Sequence, residues 1–369
     1  MRYVLLGDGQ SPHLLKWARA LAPQVELWAA SSRGFATGFD ALVPPGRRLA
    51  LGTSPDFEGG NAALLRQLPR LAAWLRGVRA DWIHAHYLTS HGTLAWAATR
   101  FLGVPGRVVG SAWGSDILVT PQRSVVLRWL TRRVLRACAL ATSDSQVMTD
   151  RMRELGAGEV MTFPFGLEDL PPLPAAGQRG DHCFFANRGL EPIYRPQEVL
   201  RLFAAIATAW PDARLVVAND GSLSSALQAQ AAALGLASRV RFVGRLSAVD
   251  QAVQYAQARW YLSLPESDSV SVSVLEAMAQ GCIPVLSDLP ANRELVRSGD
   301  NGLVLDGASA PAAGMLMPQA LMPQLDALLA RSEAIAAANH AWVAAHAMFG
   351  PAVAVFLARL REIQATGPR

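Results

Sequence analysis

The stretch LPESDSVSVSVLEAMAQG, residues 264–281, decides the fold. Serine and valine alternate over residues 269–274, a period typical of a half-buried strand. However, a strand-like run ends just before the alternation, and the helix-forming sequence LEAMAQ follows it and stops at Gly281. We therefore predict a strand-to-helix loop that places the serines near a helix N-terminus. Backbone N–H groups and the helix dipole favour an anion such as a phosphate at that place.

Strand-like apolar runs alternate with helical patterns along the whole chain, which predicts parallel sheets built from βαβ units. The Pro/Gly-rich stretch DLPPLPAAGQRG, residues 169–180, interrupts the alternation. We predict an α/β chain of two doubly wound, Rossmann-like domains, residues 1–168 and 181–340, joined by this linker and facing a central cleft where ligands bind. The predicted strands are 3–6, 25–29, 82–85, 107–111, 184–185, 215–218, 240–243, 260–264 and 284–287.

The composition is that of a globular protein. The chain has 369 residues, of which 51% are hydrophobic and 17% charged, and this suits two ordinary domains. Its three cysteines are far apart without a CxxC pair, which argues against a disulfide framework or zinc site and fits a reducing cytosol. The apolar start is too short for a signal peptide, and the apolar stretch 341–358 is marginal in length for a membrane span. We expect a cytoplasmic protein.

The net charge is +5, with arginine supplying almost all of the positive residues. Anionic lipid, anionic small substrates and nucleic acid would all be consistent with this charge. We expect no nucleic-acid partner, because no interleaved aromatic and basic pattern is visible. The run RSVVLRWLTRRVLRACALA, from Arg123, predicts a basic helix with Arg128, Arg132 and Arg136 on one face. Such a helix is either a solvated outer helix or a peripheral contact with anionic membrane at the inner face of the cytoplasmic membrane.

The stretch SLPESDSVSVSVLEAMAQGCIPVLSDLPANRELV, residues 263–296, resembles the donor-binding segment of family-4 retaining glycosyltransferases with the GT-B fold, the bacterial glycosyl transferases group 1. That family carries two acids separated by seven residues and then an EAMAxGxPV run. Asp268 and Glu276 have this spacing, with Asp where Glu is usual. The resemblance implies that Glu276 holds the ribose of a nucleotide sugar, that Asp268 touches the sugar ring, and that the diphosphate binds the backbone at Ser271, Val272 and Ser273. The alternative is a plain helix N-cap, with Asp268 or Ser273 capping and Glu276 exposed.

The resemblance extends to other segments of the second domain. In ANRGLEPIY, residues 186–194, Arg188 stands where the family places an arginine for the donor phosphates. The lysine usual five residues later is replaced by Ile193, and Arg195 is either its substitute or a surface arginine. RVRFVGRL, residues 239–246, implies that backbone around Gly244 and Arg245 lies against the nucleotide base.

The first predicted domain begins with GDGQSPH, residues 7–13, which lacks GxGxxG and so argues against a dinucleotide-binding dehydrogenase. Gly7 and Gly9 would let backbone approach the sugar or phosphates. His13 either faces the cleft or caps the next helix. IHAHYLTSHG, residues 83–92, places His86 at a strand end, where the family often has a cleft histidine. We expect no metal, because no nearby Asp or Cys completes a ligand set with these histidines.

SAWGSDIL, residues 111–118, matches a segment in which the family usually has a His-Gly pair. Trp113 takes the place of that histidine. Trp113 either stacks on a sugar or acceptor or is simply buried, and Asp116 either accepts a hydrogen bond from a hydroxyl or belongs to a turn. The GT-B resemblance further implies that the last helix, about 341–369, crosses back to the first domain.

The resemblance implies a metal-independent, retaining glycosyltransferase that needs no cofactor. Its donor would be a nucleoside diphosphate sugar of the UDP or GDP type, and its acceptor a glycan, lipid-linked or small-molecule hydroxyl in bacterial cell-surface polysaccharide or lipopolysaccharide synthesis. The candidate catalytic residues are Asp268, Arg188, Asp116 and His86. Two alternatives stay open: a nucleotide-sugar epimerase or hydrolase of the same fold, and a catalytically silent sugar-nucleotide-binding protein.

Overall fold

A computed structural model describes residues 1–53, 62–175, 177–305 and 318–366. The chain divides into two compact units. Unit 1 comprises Met1–Phe163 and Phe349–Arg369, and unit 2 comprises Pro164–Met348. The division therefore falls just before the linker predicted at 169–180. Of the predicted last segment 341–369, the part before Phe349 belongs to unit 2 and the rest to unit 1.

Among the described residues of unit 1, seven parallel strands form one sheet in the order β3-β2-β1-β4-β5-β6-β7. The strands are β1 Arg2–Gly7, β2 Glu26–Ser31, β3 Arg48–Ala50, β4 Trp82–His86, β5 Arg107–Ser111, β6 Cys138–Ser143 and β7 Val160–Thr162. The helices between them are α1 Pro12–Leu21, α2 Ala62–Arg66, α3 Leu68–Val78, α4 Thr93–Phe101, α5 Ser115–Leu118, α6 Thr120–Arg123, α7 Val125–Ala137 and α8 Gln146–Glu154.

Unit 2 repeats this architecture with six parallel strands among its described residues, in the order β10-β9-β8-β11-β12-β13. The strands are β8 Gly180–Ala186, β9 Arg214–Ala218, β10 Val240–Gly244, β11 Ala258–Ser263, β12 Ile283–Ser287 and β13 Leu303–Leu305. The helices are α9 Pro196–Ala209, α10 Ser224–Ala233, α11 Ala248–Gln257, α12 Val272–Ala279, α13 Pro290–Leu295, α14 Pro318–Leu329 and α15 Ser332–His346.

The predicted α/β class and the two doubly wound sheets are confirmed, and every predicted strand lies within or overlaps an observed one. The alternating segment 269–274 forms no strand. Ser271 precedes α12 as its N-cap residue, and Gly281, with φ +79°, follows the end of that helix. The basic helix predicted from Arg123 is shorter than its sequence pattern, because its last residues form β6. The run CALATS is apolar and small, and it lies buried between β5 and β7.

Both sheets reverse their strand order at one place, between β1 and β4 in unit 1 and between β8 and β11 in unit 2. Ligands of open α/β sheets bind outside the carboxyl ends of the strands at such a reversal. In unit 1 this edge carries Gly7 and His86, the last residues of β1 and β4. In unit 2 it carries Arg188, just after β8, and the loop that leads from β11 into α12.

The last helix, α16 Phe349–Thr366, packs against α1 within unit 1. Trp17 is almost fully buried there and meets the rings of Phe349 and Phe356 edge-on, at centroid distances of 5.0 and 5.3 Å. Arg359 binds both carboxylate oxygens of Glu159, at 2.6 and 2.7 Å. An aromatic cluster and a bidentate ion pair thus attach the C-terminal helix to the first sheet.

A chain of hydrogen bonds crosses four adjacent strands of unit 1. The Tyr3 hydroxyl lies 2.8 Å from His84 Nδ1, His84 Nε2 lies 2.6 Å from Ser111 Oγ, and Ser111 Oγ lies 2.6 Å from Thr142 Oγ1. All four side chains are fully buried. Burial lowers the pKa of His84 to about 3, that of His91 to about 4, and that of His86 well below its usual range. Unit 1 therefore folds around neutral imidazoles.

We predict that stability falls steeply as the solution is acidified. Above about pH 6.5 a histidine whose pKa is lowered by folding is neutral in both the folded and the unfolded chain. Below that value the unfolded chain binds a proton that the folded chain does not, so the free energy of unfolding falls as pH falls toward the folded pKa. Together, three such histidines lower the free energy of unfolding by about 4 kcal/mol for each pH unit below that value. Asp116 opposes this loss, because burial raises its pKa to about 6 and the folded chain then binds one proton that the unfolded chain does not. Urea unfolding followed by tryptophan fluorescence between about pH 7.5 and 5.5 measures this slope.

The matched variants are His91→Gln, which removes one buried ring, and His346→Gln, which removes an exposed one. We expect the first to flatten the pH slope by about one proton and the second to leave it unchanged. A wild-type stability that is level across this pH range would contradict the neutral-histidine core.

Candidate active site

Arg188 connects the two strand ends that meet at the reversal point of unit 2. Its Nη2 atom lies 2.7 Å from Asp268 Oδ2, and its Nη1 atom donates to Ser271 Oγ. The guanidinium also lies over the ring of Tyr194, 4.5 Å from the centroid. Burial raises the pKa of Asp268, and the Arg188 charge partly offsets this effect. The guanidinium group with these two partners, called here the Arg188 fork, thus fixes the loop after β11 and places a positive charge beside the N-terminus of α12.

The plain N-cap alternative does not describe this loop. Ser271 is the N-cap residue by position, but its side chain makes no capping hydrogen bond to the backbone of α12. Its hydroxyl accepts from Arg188 instead. Asp268 accepts from the N–H of Ser269 and pairs with Arg188, and Glu276 is half-buried rather than exposed. The polar side chains of this segment are therefore organised around the arginine.

Glu276, one turn inside α12, is held by two residues of α11. Its Oε2 atom accepts from Gln251 Nε2 at 2.9 Å and lies 3.0 Å from the Tyr255 hydroxyl, which also lies 3.2 Å from the carbonyl of Ser273. Burial raises the pKa of Tyr255, so its hydroxyl keeps its proton. Glu276 therefore has a fixed carboxylate orientation.

Asn187 links the Glu276 network to the arginine that follows it in sequence. Its amide nitrogen donates to the Tyr255 hydroxyl at 2.8 Å, and its Oδ1 accepts from the Tyr261 hydroxyl at 2.8 Å. Sequence reasoning missed four residues, because their importance comes only from contacts in the folded chain: Tyr194 with Arg188, Gln251 and Tyr255 with Glu276, and Asn187 with Tyr255.

Arg195 is the N-cap residue of α9 in a left-handed conformation, with φ 48°. The preceding turn touches the loop after β11, where the N–H of Glu266 donates to the carbonyl of Ile193 at 2.9 Å. Arg195 is half-buried beside this contact. A role for Arg195 as substitute for the usual lysine stays a prediction.

Gly244 and Arg245 lie at the carboxyl end of β10. Gly244 has φ +67°, a conformation that favours glycine, and a Cβ there would meet no atom within 4 Å. Its carbonyl accepts from the N–H of Asn219 at 2.6 Å, and Arg245 pairs with Asp220 on the surface at 2.7 Å. The turn therefore leaves open space beside its backbone, and contact with a nucleotide base there stays a prediction.

Gly7, the last residue of β1, and Gly9 are closely packed within unit 1. A Cβ on Gly7 would lie 2.8 Å from Leu14 Cδ1, and a Cβ on Gly9 would lie 2.6 Å from the carbonyl oxygen of Gly34. The space that these residues leave is filled by unit 1 itself. Packing inside the unit therefore requires both glycines, and the approach of their backbone to a sugar or phosphate stays a prediction.

His86, Trp113 and His13 come together at the carboxyl edge of the first sheet. The indole Nε1 of Trp113 donates to His86 Nδ1 at 3.3 Å, and the ring of His13 lies edge-on to Trp113 at 5.2 Å. Ser11, and not His13, caps α1, so the capping alternative for His13 is wrong. Because Nδ1 of the neutral His86 ring accepts, its proton resides on Nε2. That nitrogen is buried and has no hydrogen-bond partner among the described residues.

Asp116 positions this cluster and does not face a ligand. It is fully buried; Oδ1 accepts from the N–H of Trp113 at 2.9 Å and Oδ2 from that of Leu88 at 2.7 Å. Leu88 begins a turn of π-helix after Tyr87, whose φ is +68°. Strained residues and π-turns concentrate at functional sites. The prediction that Asp116 contacts a substrate hydroxyl is corrected, because backbone groups occupy both oxygens.

Neither a metal-ligand cluster nor a helix able to span a membrane is found among the described residues. No group of three or more His, Cys, Asp or Glu side chains in this part of the chain is placed to hold a metal ion. None of the helices there combines the length and the apolar character needed to cross a membrane.

Both units match known protein families. Residues 182–322 match the family described as Glycosyl transferases group 1, and residues 3–145 match the Glycosyl transferase 4-like family. The chain is 26% identical to a phosphatidyl-myo-inositol mannosyltransferase of Mycobacterium leprae over 324 residues, covering 84% of this chain and 83% of that protein. It is 25% identical to a D-inositol 3-phosphate glycosyltransferase of Salinispora tropica over 359 residues, covering 85% and 74%.

The fold also matches solved structures. The crystal structure of Alr3699/HepE from Anabaena in complex with UDP superposes with a TM-score of 0.76, at 15% identity, over 97% of this chain and 100% of that one. Sucrose-phosphate synthase from Thermosynechococcus elongatus superposes with a TM-score of 0.78, at 16% identity, over all of both chains. With one family model matched by each unit, the chain belongs to the family-4-like glycosyltransferases of the GT-B fold.

Proposed function

We propose that this glycosyltransferase moves a sugar from a nucleoside diphosphate donor to an acceptor hydroxyl with retention of anomeric configuration. The observation that carries the proposal is the Arg188 fork at the N-terminus of α12, with the fixed carboxylate of Glu276 one turn further along the helix. Unit 2 binds the donor in this proposal, and unit 1 binds the acceptor.

The diphosphate binds Arg188 and the first N–H groups of α12, at Val272 and Ser273. A guanidinium has five N–H donors, so Arg188 can hold a phosphate oxygen while it still orients Asp268. Negative charge grows on the diphosphate as its bond to the sugar breaks. Donors that are fixed before the reaction stabilise this charge and thereby lower the barrier.

Glu276 accepts hydrogen bonds from the ribose hydroxyls, and the backbone near Gly244 meets the base. Gln251 and Tyr255 fix the carboxylate before the donor arrives, which reduces the entropy lost on binding. The donor is of the UDP or GDP type. HepE was solved with UDP and with UDP-glucose, and a GDP-mannose-dependent mannosyltransferase of Komagataeibacter xylinus is among the relatives.

Retention follows if the acceptor attacks the face of the sugar that the diphosphate leaves. The bond between the anomeric carbon and the phosphate oxygen breaks, and the acceptor oxygen bonds to the same face. The hydroxyl proton passes to the leaving phosphate. Asp268 accepts from a sugar hydroxyl, and its own negative charge supports the positive charge that develops on the ring.

The acceptor lies beside Trp113 and His13 in unit 1, where the indole offers a flat apolar surface for a sugar or similar ring. His86 supports this surface from within unit 1, because its Nδ1 accepts from the indole Nε1. The acceptor is a glycan, lipid-linked or small-molecule hydroxyl used in bacterial surface polysaccharide or other glycoconjugate synthesis.

The stereochemical course tests this proposal. Purified enzyme is incubated with UDP-glucose, UDP-N-acetylglucosamine or GDP-mannose, with and without a bacterial lipid extract, and the first anomeric proton signals are followed by NMR. We expect the first product, including sugar released to water, to keep the α configuration of the donor. A β product would overturn retention. An epimerised donor, or donor cleavage that no acceptor stimulates, would favour the epimerase or hydrolase alternative.

Arg188 and Glu276 should affect different kinetic constants. We expect Arg188→Gln to lower kcat about 100-fold, because the leaving diphosphate loses its charge-assisted donors. Glu276→Gln should raise the donor KM about tenfold, because the ribose loses a charged acceptor. Initial rates over a range of donor concentrations separate the two effects. Arg201→Gln is the matched control, since this exposed arginine pairs with Glu198 on α9. Equal loss in all three variants would contradict these assignments.

Tyr255 should act as a positioning residue for Glu276. Tyr255→Phe leaves the carboxylate and the Asn187 amide each short of one partner, so we expect the donor KM to rise about fivefold with kcat almost unchanged. The control is Tyr3→Phe, which removes a buried tyrosine hydroxyl from the hydrogen-bond chain of unit 1. Both variants should lower Tm, but only Tyr255→Phe should change the donor KM. A normal KM in Tyr255→Phe would show that the network is structural alone.

A further inference from the structure

One outer surface of unit 1 combines exposed apolar side chains with arginines. It is formed by α4 and α7, which pack on each other, and is called here the α4–α7 surface. Large apolar side chains remain exposed on it, by 63% for Phe101, 81% for Val125, 70% for Val126 and 51% for Trp129. The arginines between them are Arg100, Arg128, Arg132, Arg133 and Arg136.

The aromatic side chains of the α4–α7 surface form a connected row. The ring of Trp96 meets Phe101 at a centroid distance of 5.3 Å and Trp129 at 6.3 Å, both edge-on. Arg100 lies 5.7 Å from the ring centroid of Phe101, and Arg133 lies 5.3 Å from that of Trp129. The exposed rings are therefore one patch with cations beside it, and not isolated surface residues.

The patch has no negative charge to balance it. Residues 93–143 include seven arginines and a single acid, Asp116, which is fully buried. The elements α3, α6 and β6, which pack on α4 and α7, contain no acidic residue. Within the described part of the chain, no carboxylate pairs with Arg128, Arg132, Arg133 or Arg136. The surface therefore has a strong positive potential next to apolar groups.

We propose that the α4–α7 surface docks on the surface of an anionic lipid bilayer. Arginines bind lipid phosphates, and tryptophan and phenylalanine favour the boundary between head groups and acyl chains. Charge complementarity requires an anionic partner. A soluble polyanion would satisfy the arginines but would leave Phe101, Val125, Val126 and Trp129 in water. A bilayer accommodates both kinds of side chain in one layer.

This surface contains none of the residues assigned above to the donor or the acceptor. Membrane docking is therefore separable from sugar transfer, and its failure would leave the proposed function untouched. Docking would place unit 1 where lipid-linked hydroxyls are concentrated.

Vesicle sedimentation tests the proposal on the full chain. The protein is mixed with phosphatidylcholine vesicles that either contain or lack phosphatidylglycerol, and the bound fraction is measured over a range of lipid concentrations. We expect binding only to the anionic vesicles, weakening as salt is raised. The double variant Arg132→Gln, Arg133→Gln should bind about 30-fold more weakly, since each arginine contributes about fivefold. Adding Trp129→Ser to this double variant should weaken binding by a further several-fold.

The matched control is Arg241→Gln, Arg297→Gln with Val249→Ser, which removes two exposed arginines and an exposed valine from unit 2. It loses the same two charges and should bind like the wild type. Donor turnover without vesicles should be unchanged in every variant. Three outcomes would each overturn the proposal: equal binding to neutral vesicles, equal weakening by the control, or binding to polyphosphate with none to anionic vesicles.

Discussion

The organisation of unit 2 depends on the ion pair and hydrogen bond that Arg188 makes with Asp268 and Ser271. One guanidinium joins the end of β8 to the loop after β11, the two strand ends between which the sheet order reverses. The same group supplies the positive charge beside the N-terminus of α12. Structural cohesion and the proposed anion binding therefore depend on the same side chain. The hydrogen bonds from Asn187 through Tyr255 to Glu276 extend this fixed network by one turn of α12.

Unit 1 differs from unit 2, because the polar groups near the end of β4 are buried histidines. Burial keeps them neutral, so His86 carries no positive charge and accepts the indole N–H of Trp113 through Nδ1. Asp116 holds Trp113 and the strained turn after Tyr87 by accepting from backbone, which fixes the indole against His86. The positive charge of the unit is instead on its outer helices, where it is available to an anionic surface.

Much of the fold could be predicted from local pattern, since apolar runs and turn residues specify βαβ units directly. The loop before α12 was predicted because a helix-forming run with a terminal glycine outweighs six alternating residues. The boundary between α7 and β6 was not, because CALATS is apolar in either state and only its place between β5 and β7 makes it a strand. Tyr255 and Asn187 could not be found from sequence, since residues 187, 255 and 276 meet only through the parallel order of β8 and β11. The role of Asp116 was misjudged for the same reason, since the N–H of Leu88 that it accepts from comes from a distant part of the chain.

In the proposed function, unit 2 binds a diphosphate at the N-terminus of α12. Calorimetric titration of the wild-type protein with UDP, GDP, uridine and guanosine tests it most directly. We expect one of the two diphosphates to bind about 100-fold more tightly than its nucleoside, with an affinity that falls as salt is raised. A nucleoside that binds as tightly as its diphosphate, or no binding of either diphosphate, would contradict it.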